Sequence, residues 1–125
     1  MRILLDTHLF LWWIDGGSRI SKSAKTMILN AQEVYISSAS IWEACIKVKL
    51  GKLEANIEKL ANSIQESGFL ELNITVRHAM GVCQLPNLHR DPFDRILISQ
   101  AICEPLQFLT VDKILEPYSD LVKLI

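Results

Sequence analysis

Arg2-Ile3-Leu4-Leu5-Asp6 is a short apolar run closed by a carboxylate, and Asp6 is the only acid among the first fourteen residues. A run of this length reads as a buried strand. Its acid then stands at the carboxyl end, which in an open α/β sheet faces the ligand crevice. Two further runs repeat the pattern. Val34-Tyr35-Ile36 precedes Glu43, and Gln107-Phe108-Leu109 precedes Asp112. A fourth acid, Asp94, opens an apolar helical segment.

Between the strand-like runs lie helical patterns. Residues 7–14 are apolar on nearly every side, and Asp15-Gly16-Gly17-Ser18 turns the chain. Ser21 caps a helix to about Asn30, followed by a strand over residues 33–37. Ser38 or Ser40 caps a helix through Leu50, with Gly51 as its stop. Residues 54–67 carry Ile57, Leu60, Ala61 and Ile64 on one face, and Gly68 ends that helix. Residues 70–74 read as a strand, Thr75 caps a helix through Val82, and residues 83–90 form a loop. Asp91-Pro92-Phe93-Asp94 is a strong helix start: a capping acid, proline at the first helical position, then an acid at the third. That helix, through Cys103, is apolar on most sides and should be buried. Residues 106–110 form a strand, a short helix follows Asp112, and residues 121–125 form the last strand. Strands alternating with helices predict a three-layer α/β/α sandwich with a mostly parallel central sheet.

Length and composition bound the rest. The 125 residues suffice for one domain, 1–125, with a full core. Half the residues are apolar, yet no run reaches the ~18 residues of a membrane helix. The N-terminus enters a strand directly, without a signal-peptide pattern. Cys45, Cys83 and Cys103 are widely spaced, which suits reduced thiols in the cytoplasm better than disulfides or a zinc site. The net charge of −1 means that any nucleic-acid surface must be local.

The acids each have a bland account. Asp6, Asp91 and Asp112 can cap the helices that follow them, and Glu43 can pair with Lys47 four residues on. Capping alone would be served equally well by serine or threonine, and a strand buried on both faces makes Asp6 costly. Two carboxylates about 4 Å apart repel by roughly 4 kcal/mol at an effective dielectric of 20. A cluster of three or four would consume much of a small domain's ~5–15 kcal/mol stability. A divalent cation relieves that repulsion, and all-oxygen ligation favours Mg²⁺ or Mn²⁺. Cations held by carboxylates suit phosphodiester hydrolysis. Lys47, Lys49, Lys52, Arg90 and Arg95 are placed to meet phosphates, with a plain solvated face as the alternative. His8 and His89 read as bystanders near the acids. Trp12, Trp13 and Trp42 fit core or interface better than base stacking.

Leu5-Asp6-Thr7-His8, Ile41-Trp42-Glu43-Ala44, His89-Arg90-Asp91-Pro92-Phe93-Asp94-Arg95 and Thr110-Val111-Asp112 occur in this order at suitable separations. Together they resemble the PIN-domain ribonucleases, in particular the VapC toxins of type II toxin–antitoxin pairs. The resemblance spans essentially the whole chain. The Asp-Pro-Phe-Asp-Arg segment and the Trp12-Trp13 pair are its more specific marks, and Glu104-Pro105 departs from relatives that often carry Gly or Asn there. The resemblance implies a catalytic set of Asp6, Glu43, Asp94 and Asp112, with Mg²⁺ or Mn²⁺ held by Asp6 and Asp94. Asp91, Thr7, Thr110 and Arg95 are supporting or substrate-facing candidates. It further implies endonucleolytic cleavage of RNA, a homodimer, and a cognate antitoxin threaded into the active-site groove. Two other readings are weaker. A phosphoaspartyl hydrolase needs an acid two residues after Asp6, where His8 stands, and a receiver needs paired acids that are missing. The remaining alternative is a non-catalytic interaction module whose acids are only caps.

Overall fold

A computed structural model describes all residues from Met1 to Ile125. Five strands form one sheet: β1 (Arg2–Leu5), β2 (Glu33–Ser37), β3 (Leu70–Leu72), β4 (Gln107–Thr110) and β5 (Val122–Leu124). Their order is β3-β2-β1-β4-β5, and every pair is parallel. Six α-helices connect them: α1 (Thr7–Ile14), α2 (Lys22–Asn30), α3 (Ser38–Lys49), α4 (Ile57–Glu66), α5 (Val76–Gly81) and α6 (Pro92–Cys103). A 3-10 turn spans Val82–Gln84, and a 3-10 helix spans Lys113–Tyr118. The predicted α/β architecture with a parallel sheet flanked by helices is what the chain adopts.

Strand alternation divides the core in two. Ile3, Leu5, Val34, Ile36 and Leu109 point to one face. There they meet Leu9 and Phe10 of α1, Ala24 and Ile28 of α2, and Leu60 and Ile64 of α4. Leu4, Leu72, Phe108 and Val122 point to the other, against Leu97, Ile98 and Ala101 of α6 and Leu115 and Tyr118 of the 3-10 helix. Each fully buried leucine or isoleucine contributes about 1.5–3 kcal/mol, so both layers are strongly pinned to the sheet.

Several boundaries differ from the sequence expectation. Ser37, not Ser38 or Ser40, caps α3, its Oγ accepting from the Ala39 amide at 3.0 Å. Ser37 closes the β2–β3 ladder opposite Leu72, so the helix begins where strand pairing stops. The same limit shortens β3 to Leu70–Leu72 rather than 70–74. The 54–67 helix starts only at Ile57, because Asn56 accepts from the Lys59 amide and acts as its cap. The segment after Asp112 is 3-10 rather than α; Pro117 inside it lacks an N–H donor.

Helices α5 and α6 are joined by polar contacts. His78, buried, accepts the Thr75 N–H at Nδ1, which leaves the ring proton on Nε2 facing the Glu104 carboxylate. Ser99 Oγ donates to the His78 carbonyl at 2.6 Å. No helix is long and apolar enough to cross a membrane.

Candidate active site

The sheet order places β1 at the point where the winding reverses. The chain moves outward from β1 to β3, then returns past β1 to β4, and such a switch opens a crevice at the carboxyl ends of the two strands. Asp6 follows β1, and Thr110 and Asp112 lie at the end of β4. The Asp6 amide still donates to the Leu109 carbonyl at 3.0 Å, so the ladder runs up to the acid itself. Asp6 is only 3% exposed. Its Oδ2 accepts from Thr110 Oγ1 at 2.6 Å, and its Oδ1 accepts from the His8 amide at 3.3 Å. Thr110 Oγ1 also accepts from the Asp112 amide at 3.1 Å, tying both strand ends to one hydroxyl. Burial raises the Asp6 carboxyl above its ordinary range. The Thr110 and His8 contacts pull it back, and the nearby Glu43 carboxylate raises it further.

Glu43 comes to Asp6 through a junction of two helix starts. Thr7 Oγ1 and Ser40 Oγ hydrogen-bond at 2.8 Å, locking the first turn of α1 to α3 one turn before Glu43. Glu43 pairs with Lys47 at 3.2 Å, the i,i+4 contact expected of a surface helix. The glutamate is buried, however, so this pair is not an ordinary solvated one.

Asp94 arrives on the first turn of α6. Asp91 caps that helix, its Oδ1 accepting from the Phe93 and Asp94 amides at 2.8 and 3.4 Å. The Asp94 carboxyl is pushed up to about 7, by burial first and then by the carboxylates of Asp91 and Asp6; His89 opposes the shift. Asp94 Oδ2 lies 3.0 Å from His89 Nε2. Donor atoms of His89, Asp94 and Asp112 all fall within 4.8 Å of one another. Asp112 meanwhile caps the 3-10 helix through the Ile114 amide at 3.1 Å.

Two placements depart from the sequence reading. His89, read as a bystander, is bonded to Asp94 and belongs to the cluster. Its only sequence signal was proximity to acids, since a loop conformation decides where the imidazole points. Arg95 turns away from the acids. Its guanidinium donates to the Pro86 carbonyl at 2.9 Å, to Tyr118 Oη at 3.2 Å and to the Val82 carbonyl at 3.2 Å. It therefore holds the 82–90 loop, and with it His89, whose carbonyl accepts from Tyr118 Oη at 3.4 Å. Ser40, expected only as a possible cap of α3, instead bonds Thr7, and Tyr118 was not anticipated at all.

The donor set fits a divalent cation. Carboxylates outnumber the cations that touch them, one carboxyl is pushed up to about 7, and one imidazole joins the oxygens. A shortage of positive charge of this kind is what a bound ion supplies.

A PIN-domain family model matches residues 3–121. The chain belongs to the PIN-domain family. PIN domains are typically nucleases and generally use divalent metal, and this chain carries an acidic cluster of the kind that could hold one. This PIN domain is 26% identical over 118 residues to Ribonuclease VapC22 of Mycobacterium tuberculosis, covering 89% of this chain and 87% of the relative. Its fold resembles VapBC2 from Rickettsia felis, solved bound to a DNA fragment from their promoter. There the TM-score is 0.71 and the identity 16%, with 100% of this chain and 98% of the other covered. FitAcB from Neisseria gonorrhoeae gives a TM-score of 0.67 at 15% identity, covering 98% and 96%.

Proposed function

We propose that the chain is a metal-dependent endoribonuclease and the toxin of a type II toxin–antitoxin pair. The observation that carries the reading is the Asp94 carboxyl, half-buried on α6 and raised to about 7 among Asp6, Asp91, Asp112 and His89. Asp6, Asp94 and Asp112 would hold Mg²⁺ or Mn²⁺, with Glu43 beside Asp6 and His89 beside Asp94. When bound, the cation supplies a lowered-pKa water and neutralises charge on the phosphate. The chain's own groups set the geometry. Thr110 fixes the rotamer of Asp6 by donating to Oδ2. Asp91 fixes the start of α6 and so the position of Asp94. Lys47 balances Glu43 and faces the open side, where a substrate phosphate would approach. Arg95 holds the loop that carries His89.

The cap-only alternative accounts for part of this. Asp6, Asp91 and Asp112 do accept from amides of the helices they precede. Glu43 and Asp94 cap nothing: the bland account leaves them a pair with Lys47 and a place in the first turn of α6, and requires neither to lie near Asp6. Calorimetric titration with Mn²⁺ separates the readings: no binding by the folded protein would favour a non-catalytic interaction module.

Asp6→Asn and Asp94→Asn should each abolish RNA cleavage while the thermal transition is kept or raised, since each removes like charge. Full cleavage by either variant with Mg²⁺ present would refute the site assignment. The reading also carries two protein partners, a cognate antitoxin and a second copy of the chain. Co-purification with the product of a neighbouring reading frame and a sedimentation mass test them separately.

A further inference from the structure

We propose that Tyr118 is a positioning residue: with Arg95 it clamps the backbone at His89, fixing that imidazole beside Asp94 and Asp112 as a nitrogen ligand of the cation. The ligand role rests on the metal reading above; the clamp rests on hydrogen bonds of the chain itself.

Three segments meet at the clamp, and the same three supply the donor cluster. Arg95 follows Asp94 on α6. Tyr118 ends the 3-10 helix that Asp112 caps. His89 stands on the loop between the Val82–Gln84 turn and α6. Tyr118 Oη accepts from Arg95 Nη1 at 3.2 Å and donates to the His89 carbonyl at 3.4 Å. Arg95 Nη1 donates to that same carbonyl at 3.4 Å. One hydrogen-bonded triangle therefore joins the segments whose donor atoms, on His89, Asp94 and Asp112, lie within 4.8 Å of one another.

Little else in the fold places His89. Residues 86–90 make no backbone–backbone hydrogen bond. Leu85 is the last buried residue before Leu97, so no core side chain pins the stretch between them. The loop carbonyls turn inward instead, and those of Val82, Pro86 and His89 converge on the one guanidinium. A lysine cannot serve there, because a point charge does not span a fork of acceptors. Tyr118 supplies the fixed end. Its ring is buried with Leu97, Phe108 and Leu115, so the hydroxyl sits on an arm locked by packing. Phenylalanine would fill the same space, and the two hydrogen bonds are all that the hydroxyl adds.

The rival account is that Asp94 alone holds His89, through the 3.0 Å contact at Nε2. That contact is given up when this nitrogen serves as a ligand. The clamp acts through the backbone carbonyl and persists.

The test is calorimetric titration of the full chain with Mn²⁺, together with pulsed EPR of the bound ion for coupling to an imidazole nitrogen. Tyr118→Phe and Arg95→Lys should each raise the Mn²⁺ dissociation constant about tenfold, the order seen for groups that orient a metal ligand. The nitrogen coupling of the parent should weaken or vanish in both. Made in a His89→Ala chain, either change should alter affinity by less than about twofold, because the clamp then has no imidazole to hold. A general loss of structure would instead lower affinity equally in both backgrounds. If Arg95→Lys loses its cooperative thermal transition, Tyr118→Phe, whose ring still fills the core, decides alone. Unchanged affinity in Tyr118→Phe, an equal loss without His89, or a parent that binds Mn²⁺ with no nitrogen coupling overturns the proposal and leaves the metal reading standing. A parent that binds no Mn²⁺ overturns both.

Discussion

The Asp94 carboxyl holds its proton to about 7, against 3.8 for an unperturbed aspartate. Between those values the folded chain binds more protons than the unfolded chain, so stability falls as pH rises across that window. In chelator, the unfolding free energy should drop from pH 5 to pH 8, by an amount on the order of a few kcal/mol. Asp94→Asn should flatten the profile; an equally steep profile in that variant, measured by urea titration, would place the frustration elsewhere. Thr110 acts in the opposite sense, since its hydroxyl donates to the charged form of Asp6. Thr110→Val should cost roughly 1–3 kcal/mol, because a buried carboxylate loses its donor without losing its burial. Calorimetric melting checks this, and a loss below about 0.5 kcal/mol would mean that the bond is replaced by water. The acids of this site were legible in the sequence because acids at strand ends are conspicuous. The roles of His89 and Arg95 were not. Both are set by the path of residues 82–90, where a single guanidinium gathers carbonyls that no spacing rule connects.

Among the elements, α5 and α6 show where sequence patterns stop informing. Gly81 looks like an ordinary helix end, yet a Cβ there would collide with Ser99 Oγ on α6. The glycine is required by the approach of the two helices, not by its backbone angles. Gly81→Ala should therefore destabilise by about 1–3 kcal/mol through overpacking, visible as a shifted urea midpoint. Gly81→Ala combined with Ser99→Ala should recover part of that loss, and no recovery would indicate a backbone cause. The strands and the start of α6 were readable because apolar runs and Asp91-Pro92 are local signals. The cap of α3 was not, since Ser37, Ser38 and Ser40 are equivalent until the pairing of Ser37 with Leu72 chooses between them. Residues 54–56 looked helical for a similar reason, and only the Asn56 side chain, taken by the Lys59 amide, fixes the boundary.

At the scale of the molecule, the parallel sheet gathers acids from β1, α3, α6 and the end of β4 into one crevice, and that gathering opposes folding. Each acid is tolerable alone; together, burial and mutual repulsion hold Asp6 and Asp94 above their ordinary range. A divalent cation should remove this penalty, so metal should stabilise the fold as well as serve the chemistry. Because the ligands must be deprotonated, the gain depends on pH. At pH 8 the carboxylates are charged and repelling, and Mn²⁺ at about 100 times its dissociation constant should add about 2.7 kcal/mol. At pH 6 the proton on Asp94 competes and the gain should shrink. His89→Ala should weaken Mn²⁺ if the imidazole donates to the ion, and should strengthen it if His89 merely competes for the Asp94 carboxylate. The measurement is the thermal transition in chelator and in Mn²⁺ at the two pH values, for the parent chain, His89→Ala and Asp94→Asn. A gain equal at both pH values, or one retained in full by Asp94→Asn, would show that the acids of this crevice do not hold the ion.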